Sequence, residues 1–155
     1  MTKKSIINNL KKYFQIYELV DEEVYSIYGE RAWRFFSTDL LHCLLIIRKE
    51  ANASITINDW YWGGKFTQRG LRHNLSPLVK GKKRPYLSPH VMGLAFDFDI
   101  KGKTAIESRM LIHDIEALLP CKFRLERNMN GKPINWVHFD VVDDPKNPKL
   151  YQFDV

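Results

Sequence analysis

The sequence predicts an α+β domain in which N-terminal helices pack on a small antiparallel sheet that is crossed by one helix. Three patterns lead to this prediction. Apolar residues recur at three- and four-residue spacing through residues 1–50, which is typical of amphipathic helices. Residues 95–100 alternate between two faces, as a half-buried strand does, and 134–142 form a further strand. A capping box at Thr104 opens one helix between these strands.

Length and composition favour one domain over residues 1–155, with a helical part at 1–50 and a sheet part at 51–155. Two domains would each be too small to bury a sufficient core. Hydrophobic residues make up 45% of the chain and charged residues 27%, which excludes a disordered protein. No apolar run reaches the roughly 18 residues that a membrane-spanning helix needs. Polar residues after the basic N-terminus also interrupt any signal peptide, so we expect the protein to start in a cytoplasm.

The helical part divides into three predicted helices. The apolar spacing between residues 6 and 17 indicates the first. Acidic residues from Asp21 favour the start of a second, which ends near Gly29. Either Ser37 or Thr38 caps the third.

The pattern changes after the third helix. Residues 54–58 alternate and are rich in β-branched side chains, which predicts a strand. The aromatic run from Trp60 to Trp62 continues it, and such clusters are more often core than a surface for stacking on sugar rings. Residues 65–89 are rich in Gly, Pro and basic side chains and predict a long loop, which in a compact domain is usually either functional or disordered.

The last third of the chain combines one helix with a hairpin. The helix that begins at the capping box ends before Pro120. Residues 121–125 and 134–142 predict strands, and Asn130-Gly131 between them is a strong hairpin signal. The apolar residues expected on the core face of the helix are Ile106, Met110, Ile115, Leu118 and Leu119.

Three residues are candidate metal ligands. A turn at Gly93 lets the chain double back, so that the following strand delivers Asp97 beside His90. On the last strand, His138 projects from the same face as Trp136 and Asp140. Any one of these residues alone is more often an ordinary core or surface residue. Their combination predicts a site for one metal ion.

The ligand types favour zinc. Two imidazoles and one carboxylate suit Zn²⁺ and leave the fourth position open, as in catalytic zinc sites. A closed structural site would normally use thiolates, but Cys43 and Cys121 are not spaced for one. We expect both cysteines to be buried free thiols, because cytoplasmic folding disfavours a disulfide.

These residues carry a family resemblance. Ser88-x-His90-x-x-Gly93-x-Ala95-x-Asp97 matches the S-x-H-x-x-G-x-A-x-D signature of the M15 family of zinc peptidases. Residues 136–140 resemble its second zinc motif, W-x-H-x-D, and residues 57–64 and 68–72 resemble phage-encoded members. The family includes D-alanyl-D-alanine carboxypeptidases, vancomycin-resistance dipeptidases and phage endolysins, and its fold is shared by Hedgehog signalling domains. The resemblance covers about residues 15–142.

The resemblance implies a zinc-activated water that attacks a peptide bond in bacterial cell wall. A carboxylate must then serve as general base. Family members commonly hold it three residues before the second His, where this chain has Asn135, and an amide cannot accept the proton. Two residues are candidate substitutes, Glu126 and Asp140, and Glu126 is preferred because Asp140 is expected to orient a ligand instead. A two-residue turn would pair Glu126 with Asn135, whereas a longer loop with a bulge would move it to the His138 face. The alternative is that Glu126 only pairs with a neighbouring arginine.

Further residues follow from the same resemblance. Arg72 best matches the family's substrate-binding arginine, which clamps a carboxylate, and Arg69 is the reserve. Either could instead be a solvated loop charge. Ser88 and Asp140 are expected to orient the metal ligands without binding the metal themselves.

Three functional hypotheses result. The first is a zinc peptidase for peptidoglycan peptides, phage-encoded, that waits in the host cytoplasm and acts on the cell wall as an endolysin or as a virion-associated enzyme beside virion proteins. The second, favoured by Asn135, is a non-catalytic relative that serves as a structural or wall-binding component of a phage. The third is a nucleic-acid binder, suggested by the net charge of +6, and it ranks last because no nucleic-acid-reading motif is present.

Overall fold

The computed structural model describes residues 1–155 and has an α+β architecture, in which five helices pack with one five-stranded mixed sheet. The helices are α1 (Lys3–Leu10), α2 (Glu22–Tyr28), α3 (Thr38–Ala51), α4 (Pro77–Lys80) and α5 (Ala105–Asp114). The strands are β1 (Ile55–Thr56), β2 (Ala95–Ile100), β3 (Phe123–Met129), β4 (Lys132–Asp140) and β5 (Leu150–Asp154). Their order in the sheet is β1-β2-β4-β3-β5.

The N-terminal helices begin where capping side chains satisfy free backbone N–H groups. Asp21 Oδ1 accepts from Val24 N at 2.8 Å, and Ser37 rather than Thr38 caps α3 by accepting from Leu40 N at 3.0 Å. The first predicted helix is shorter than expected. It ends at Leu10, and residues 16–18 form a separate 3₁₀ turn.

The sheet is mixed, so the expectation of an antiparallel sheet is wrong at one edge. β2, β4 and β3 are antiparallel, but β5 runs parallel to β3. Residues 141–149 connect β4 to β5 past β3, so β5 runs opposite to β4 and therefore parallel to β3, which lies between them. At the opposite edge β1 contains only two residues, fewer than the alternation of residues 54–58 indicates.

The β3–β4 hairpin combines the two-residue turn of one alternative with the bulge of the other. Asn130 and Gly131 have φ angles of 52° and 75°, as a tight two-residue turn requires, and Met129 pairs with Lys132. The register then shifts. Asn128 pairs with Pro133 but Glu126 pairs with His138, so β4 advances by five residues while β3 advances by two. The bulge moves Glu126 from the partner expected for a two-residue turn, Asn135, to His138.

Helix α5 confirms the capping box but not the predicted core face. The Thr104 hydroxyl accepts from Glu107 N, and the Glu107 carboxylate accepts from Thr104 N. Ile115 and Leu119 are buried as expected. Three other residues expected in the core, Ile106, Met110 and Leu118, are exposed. The helix instead turns Ser108, Arg109 and Ile112 inward. Arg109 is buried there because its guanidinium donates to the carbonyl of Trp136 in the bulge, at 3.1 Å.

The helices and the sheet share one hydrophobic core. A cluster of 30 buried side chains extends from Ile6 to Val141. Cys43 of α3 belongs to it, and its Sγ lies 3.7 Å from that of Cys121. Both thiols are free, but Cys121 is half-buried and not fully buried as expected. None of the five helices has the length and hydrophobicity to cross a bilayer.

The aromatic run at residues 60–62 differs from its prediction as a core strand. These residues form a 3₁₀ turn, because the chain leaves the sheet directly after β1. Tyr61 is 51% exposed and Trp62 is 63% exposed.

Candidate metal centre

Two of the candidate ligands lie in one row across the sheet. Asp97 of β2 pairs with His138 of β4, and His138 pairs with Glu126 of β3. Paired residues of neighbouring strands project from the same face with their Cβ atoms about 4.5–5.5 Å apart. The next row on this face joins Ala95, Asp140 and Arg124. The residues between these rows, including Phe96 and Phe139, point to the opposite face and are buried in the core.

His90 reaches the same point from the turn before β2. Gly93 has a φ angle of 68°, which a residue with a side chain adopts only under strain, and an added Cβ would lie 2.1 Å from the carbonyl oxygen of Phe35. The turn is closed by Leu94 N, which donates to Pro89 O at 2.8 Å. The predicted reversal at Gly93 is therefore present, and it places His90 beside Asp97.

The three side chains converge as a metal site requires. Their ligand atoms all lie within 4.8 Å of one another, and all three residues are buried. Asp97 stands between the two rings: Oδ2 is 3.3 Å from Nε2 of His90, and Oδ1 is 2.7 Å from Nδ1 of His138. These three residues could hold a metal ion.

Each imidazole is oriented by its second nitrogen. His90 Nδ1 donates to the carbonyl of Gly70 at 2.9 Å, which leaves Nε2 to face Asp97. His138 Nε2 donates to Asp140 Oδ2 at 3.0 Å, which leaves Nδ1 to face Asp97. Acceptors of this kind fix the tautomer and the ring position of metal-binding histidines.

Asp140 is itself held in place. Arg124 donates to both of its oxygens, from Nε at 2.7 Å and from Nη2 at 3.1 Å, and the Asp140 side chain is fully buried. Burial acts to raise the pKa of Asp140, but the hydrogen bonds from His138 and Arg124 outweigh it and lower that pKa. Asp140 is therefore an anion that is hydrogen-bonded to His138.

The protonation of the cluster follows from these contacts. Burial acts to raise the pKa of Asp97, but the adjacent His90 and His138 rings hold it well below its usual range. Burial lowers the pKa of His90, so this ring is neutral at pH 7 and can bind a cation through Nε2. Burial also acts to lower the pKa of His138, but the hydrogen bonds to Asp140 and Asp97 raise it to about 9.

Glu126 is close to the candidate ligands, and its side chain forms no ion pair with another residue. It is 6% exposed, and its Oε1 is buried without a hydrogen-bond partner. Burial raises the pKa of this carboxyl. The alternative pairing with a neighbouring arginine is absent, because Arg124 binds Asp140 and Arg127 binds Asp154.

The cluster opens into a cavity of about 840 Å³. Both candidate substrate-binding arginines line it, as does Asn135. Arg72 Nη2 lies 3.2 Å from Asp97 Oδ2, and Arg69 Nη1 lies 2.5 Å from Asp99 Oδ2. Neither arginine is the freely solvated loop charge of the alternative interpretation, because each is paired beside the candidate metal site.

Ser88 does not act as expected. Its hydroxyl is buried but has no hydrogen-bond partner, so it does not orient a ligand. Its contribution comes from the backbone, since its carbonyl accepts from Val91 N at 3.0 Å within the turn that carries His90.

Sequence reasoning missed three contributors to the site. Gly70 approaches the backbone so closely that an added Cβ would lie 1.9 Å from the Leu19 carbonyl oxygen, and its own carbonyl holds His90. Arg124 anchors Asp140. Phe153 of β5 packs edge-on against His138, with ring centroids 6.0 Å apart. Only Phe153 had a usable signal, because Leu150 to Asp154 alternate as a short edge strand does.

Comparison of the chain with protein-family models, with curated proteins and with solved structures found no match. The resemblance to zinc peptidases therefore depends on the two motifs and on the cluster that they form.

Proposed function

We propose that this protein is a zinc-dependent peptidase of the M15 type that cleaves peptide bonds in bacterial cell-wall peptidoglycan. The observation that carries the proposal is the row Asp97–His138–Glu126. It joins two potential metal ligands with a buried carboxyl group that has an unpartnered oxygen, in one cavity. A site that only bound a metal would not need this carboxyl group.

The donor set fits zinc. Two imidazole nitrogens and one carboxylate oxygen make three protein ligands and leave a fourth position open, which is the arrangement of catalytic zinc sites. A bound zinc ion would supply Lewis acidity, which polarises a peptide carbonyl and lowers the pKa of water. His90 Nε2, His138 Nδ1 and one oxygen of Asp97 would hold it.

Glu126 would act first as the general base and then as the general acid. Burial raises the pKa of its carboxyl, which makes the group a better proton acceptor, so it could take a proton from water and later release it to the leaving amine. Its Oε1 has no partner within the protein to compete for that proton. In this scheme Glu126 replaces the carboxylate that the family commonly places at the position of Asn135.

Arg72 and Arg69 would bind the carboxylate of the substrate peptide. Arg72 uses Nε for the carbonyl of Gln68 and Nη2 for Asp97, which leaves Nη1 for a ligand. Arg69 uses Nη1 for Asp99 and keeps Nε and Nη2. A guanidinium donates two parallel hydrogen bonds to a carboxylate, so Arg69 has the better remaining geometry for that contact.

The biological setting is part of the proposal. The motifs resemble those of phage-encoded members, which favours an endolysin or a virion-associated enzyme that is made in the host cytoplasm and acts on the cell wall. The second candidate function is a non-catalytic phage protein of the same type, with a structural or wall-binding role. Asn135 favours it, because an amide stands where the family base is expected.

The deciding experiment measures new amine or carboxyl ends released from purified peptidoglycan by zinc-loaded protein, with a chelator control. We expect cleavage by the wild type, and a loss of about 10²-fold or more in Glu126→Gln with zinc content unchanged. Because Asn135 lines the same cavity, Asn135→Asp should raise the rate if the family position is still aligned.

Two results would contradict the proposal. Unchanged turnover in Glu126→Gln would remove Glu126 as the base. Absence of cleavage by the zinc-loaded wild type would favour the non-catalytic candidate, and more so if Asn135→Asp gained activity.

A further inference from the structure

Five aromatic rings form a cluster beside the catalytic cavity. They come from the 3₁₀ turn at 16–18, from α2 and from the 3₁₀ turn at 60–62, and they are Tyr17, Tyr25, Trp60, Tyr61 and Trp62. Tyr17 and Tyr61 stack in parallel with centroids 3.9 Å apart, and Trp62 meets Tyr17 edge-on at 5.5 Å. Tyr61 and Trp62 are more than half exposed. We call Tyr17, Tyr61 and Trp62 the aromatic platform.

The turn that carries Tyr61 and Trp62 is held by hydrogen bonds. Trp62 N and Gly64 N both donate to the carbonyl of Asp59, at 3.1 and 3.0 Å. The Asp59 carboxylate accepts from Phe66 N at 2.7 Å, and Trp60 Nε1 donates to the carbonyl of Val20 at 2.8 Å. A backbone fixed in this way loses little conformational entropy when a ligand covers the rings that it carries.

The platform also adjoins the catalytic cavity. Lys65 and Phe66 line the cavity, and Lys65 follows Trp62 by three residues, so their Cα atoms are at most about 11 Å apart. The segment that carries Tyr61 and Trp62 therefore continues directly into the wall of the cavity.

We propose that the aromatic platform binds a pyranose ring of the glycan strand to which the substrate peptide is attached. The occupant follows from the proposed function, because wall peptides are carried on amino-sugar polymers. A sugar ring presents C–H groups on its faces and hydroxyls at its edge, and therefore packs flat on exposed aromatic rings.

The size of the surface favours a sugar over a protein partner. Only Tyr61 and Trp62 are exposed large apolar residues of this cluster. A stable protein interface buries about 800 Å² on each side, far more than two side chains provide. One or two sugar rings match this area. Residues close in sequence to the platform, Gln15, Lys65 and Thr67, are exposed and polar, as groups that bind sugar hydroxyls must be.

The test uses a β-1,4-linked tetramer of N-acetylglucosamine as the probe, with binding followed by tryptophan fluorescence and by calorimetry. We expect wild type to bind it equally well with zinc and after chelation, because the platform contains none of the candidate metal ligands. Trp62→Ala and Tyr61→Ala should each weaken binding roughly tenfold. Tyr13→Ala removes an exposed ring outside the cluster and should have no effect.

The outcomes separate this inference from the peptidase proposal. Sugar binding without wall cleavage would contradict the peptidase and leave the platform supported. No binding of the tetramer by wild type, or binding that survives both substitutions, would overturn the inference. A single-stranded oligonucleotide that binds more tightly than the tetramer and is lost in Trp62→Ala would also overturn it, because the platform would then stack on bases.

Discussion

Nε2 of His138 lies 3.0 Å from Oδ2 of Asp140, and this contact makes Nδ1 the nitrogen of His138 that would bind a metal. The Asp140 side chain is fully buried and is held by two hydrogen bonds from Arg124. With Nε2 occupied as a donor, Nδ1 is the atom that faces Asp97. The candidate site therefore depends on a chain of contacts from Arg124 through Asp140 to His138.

Asp140→Asn should weaken zinc binding without abolishing it. The amide keeps the size and one acceptor but removes the negative charge that makes the imidazole a better ligand. Loss of such a supporting group typically costs about 10–100-fold in metal affinity. Competition with a chromophoric chelator measures the effect, and Asp143→Asn, at an exposed acid, is the control. Equal affinities in the two variants would contradict the supporting role of Asp140.

Zinc affinity should depend on pH through His138. In the metal-free protein both ring nitrogens face carboxylates, which raises the pKa of His138 to about 9. The proton on Nδ1 must leave before a metal binds there. Below pH 9 the apparent affinity should thus fall about tenfold for each pH unit, and about one proton should be released per zinc at pH 7.

Calorimetry in buffers of different ionisation enthalpy measures how many protons are released when zinc binds. His113→Ala, which removes an exposed histidine, should leave the result unchanged. An affinity that is constant between pH 7 and 9 would show that His138 is already neutral in the metal-free protein.

Local sequence patterns predicted much of the fold and the ligand set. Caps such as Ser37 and the Thr104 capping box act within one turn of helix, and the reversal at Gly93 brings Asp97 to His90 within eight residues. The position of Glu126 could not be predicted in the same way. It depends on the bulge in β4, which is stabilised by packing against β2 and by Arg109 from α5.

The other differences between the sequence-based predictions and the structure also arise from long-range packing. The apolar residues of α5 fit two helix faces, and the burial of Arg109 selects the face that leaves Ile106 and Met110 exposed. The parallel pairing of β5 joins residues that are far apart in sequence, such as Phe123 and Leu150. Such pairings leave no local periodicity that would specify direction.

Asp99→Ala should leave zinc binding intact. Asp99 lies two residues beyond Asp97 on β2, about 6–7 Å away, and its carboxylate is paired with Arg69. The variant tests whether Asp97 is the correct carboxylate. A loss of zinc as large as that in Asp97→Ala would show that the ligand was assigned to the wrong residue.

Cys43 and Cys121 should form an intramolecular disulfide under oxidising conditions. Their sulfurs are 3.7 Å apart although the residues are 78 positions apart in sequence. The hydrogen bond from Cys43 lowers the pKa of Cys121, which is also the less buried thiol, so Cys121 should attack an oxidised glutathione first and Cys43 should then displace the glutathione.

Mass spectrometry should detect the loss of two hydrogens, and the melting temperature should rise because a long loop is closed. Cys43→Ser is the control and should yield only a mixed disulfide. Two thiols that remain free after prolonged oxidation would contradict the prediction.

The most direct test of the metal centre is the zinc content of the purified chain after dialysis, determined by elemental analysis. The account predicts about one zinc per chain in wild type, and a loss of it in each of His90→Ala, Asp97→Ala and His138→Ala, because the three ligand atoms converge within 4.8 Å. Wild-type protein that holds no zinc, and neither binds added zinc nor melts at a higher temperature with it, would contradict the account.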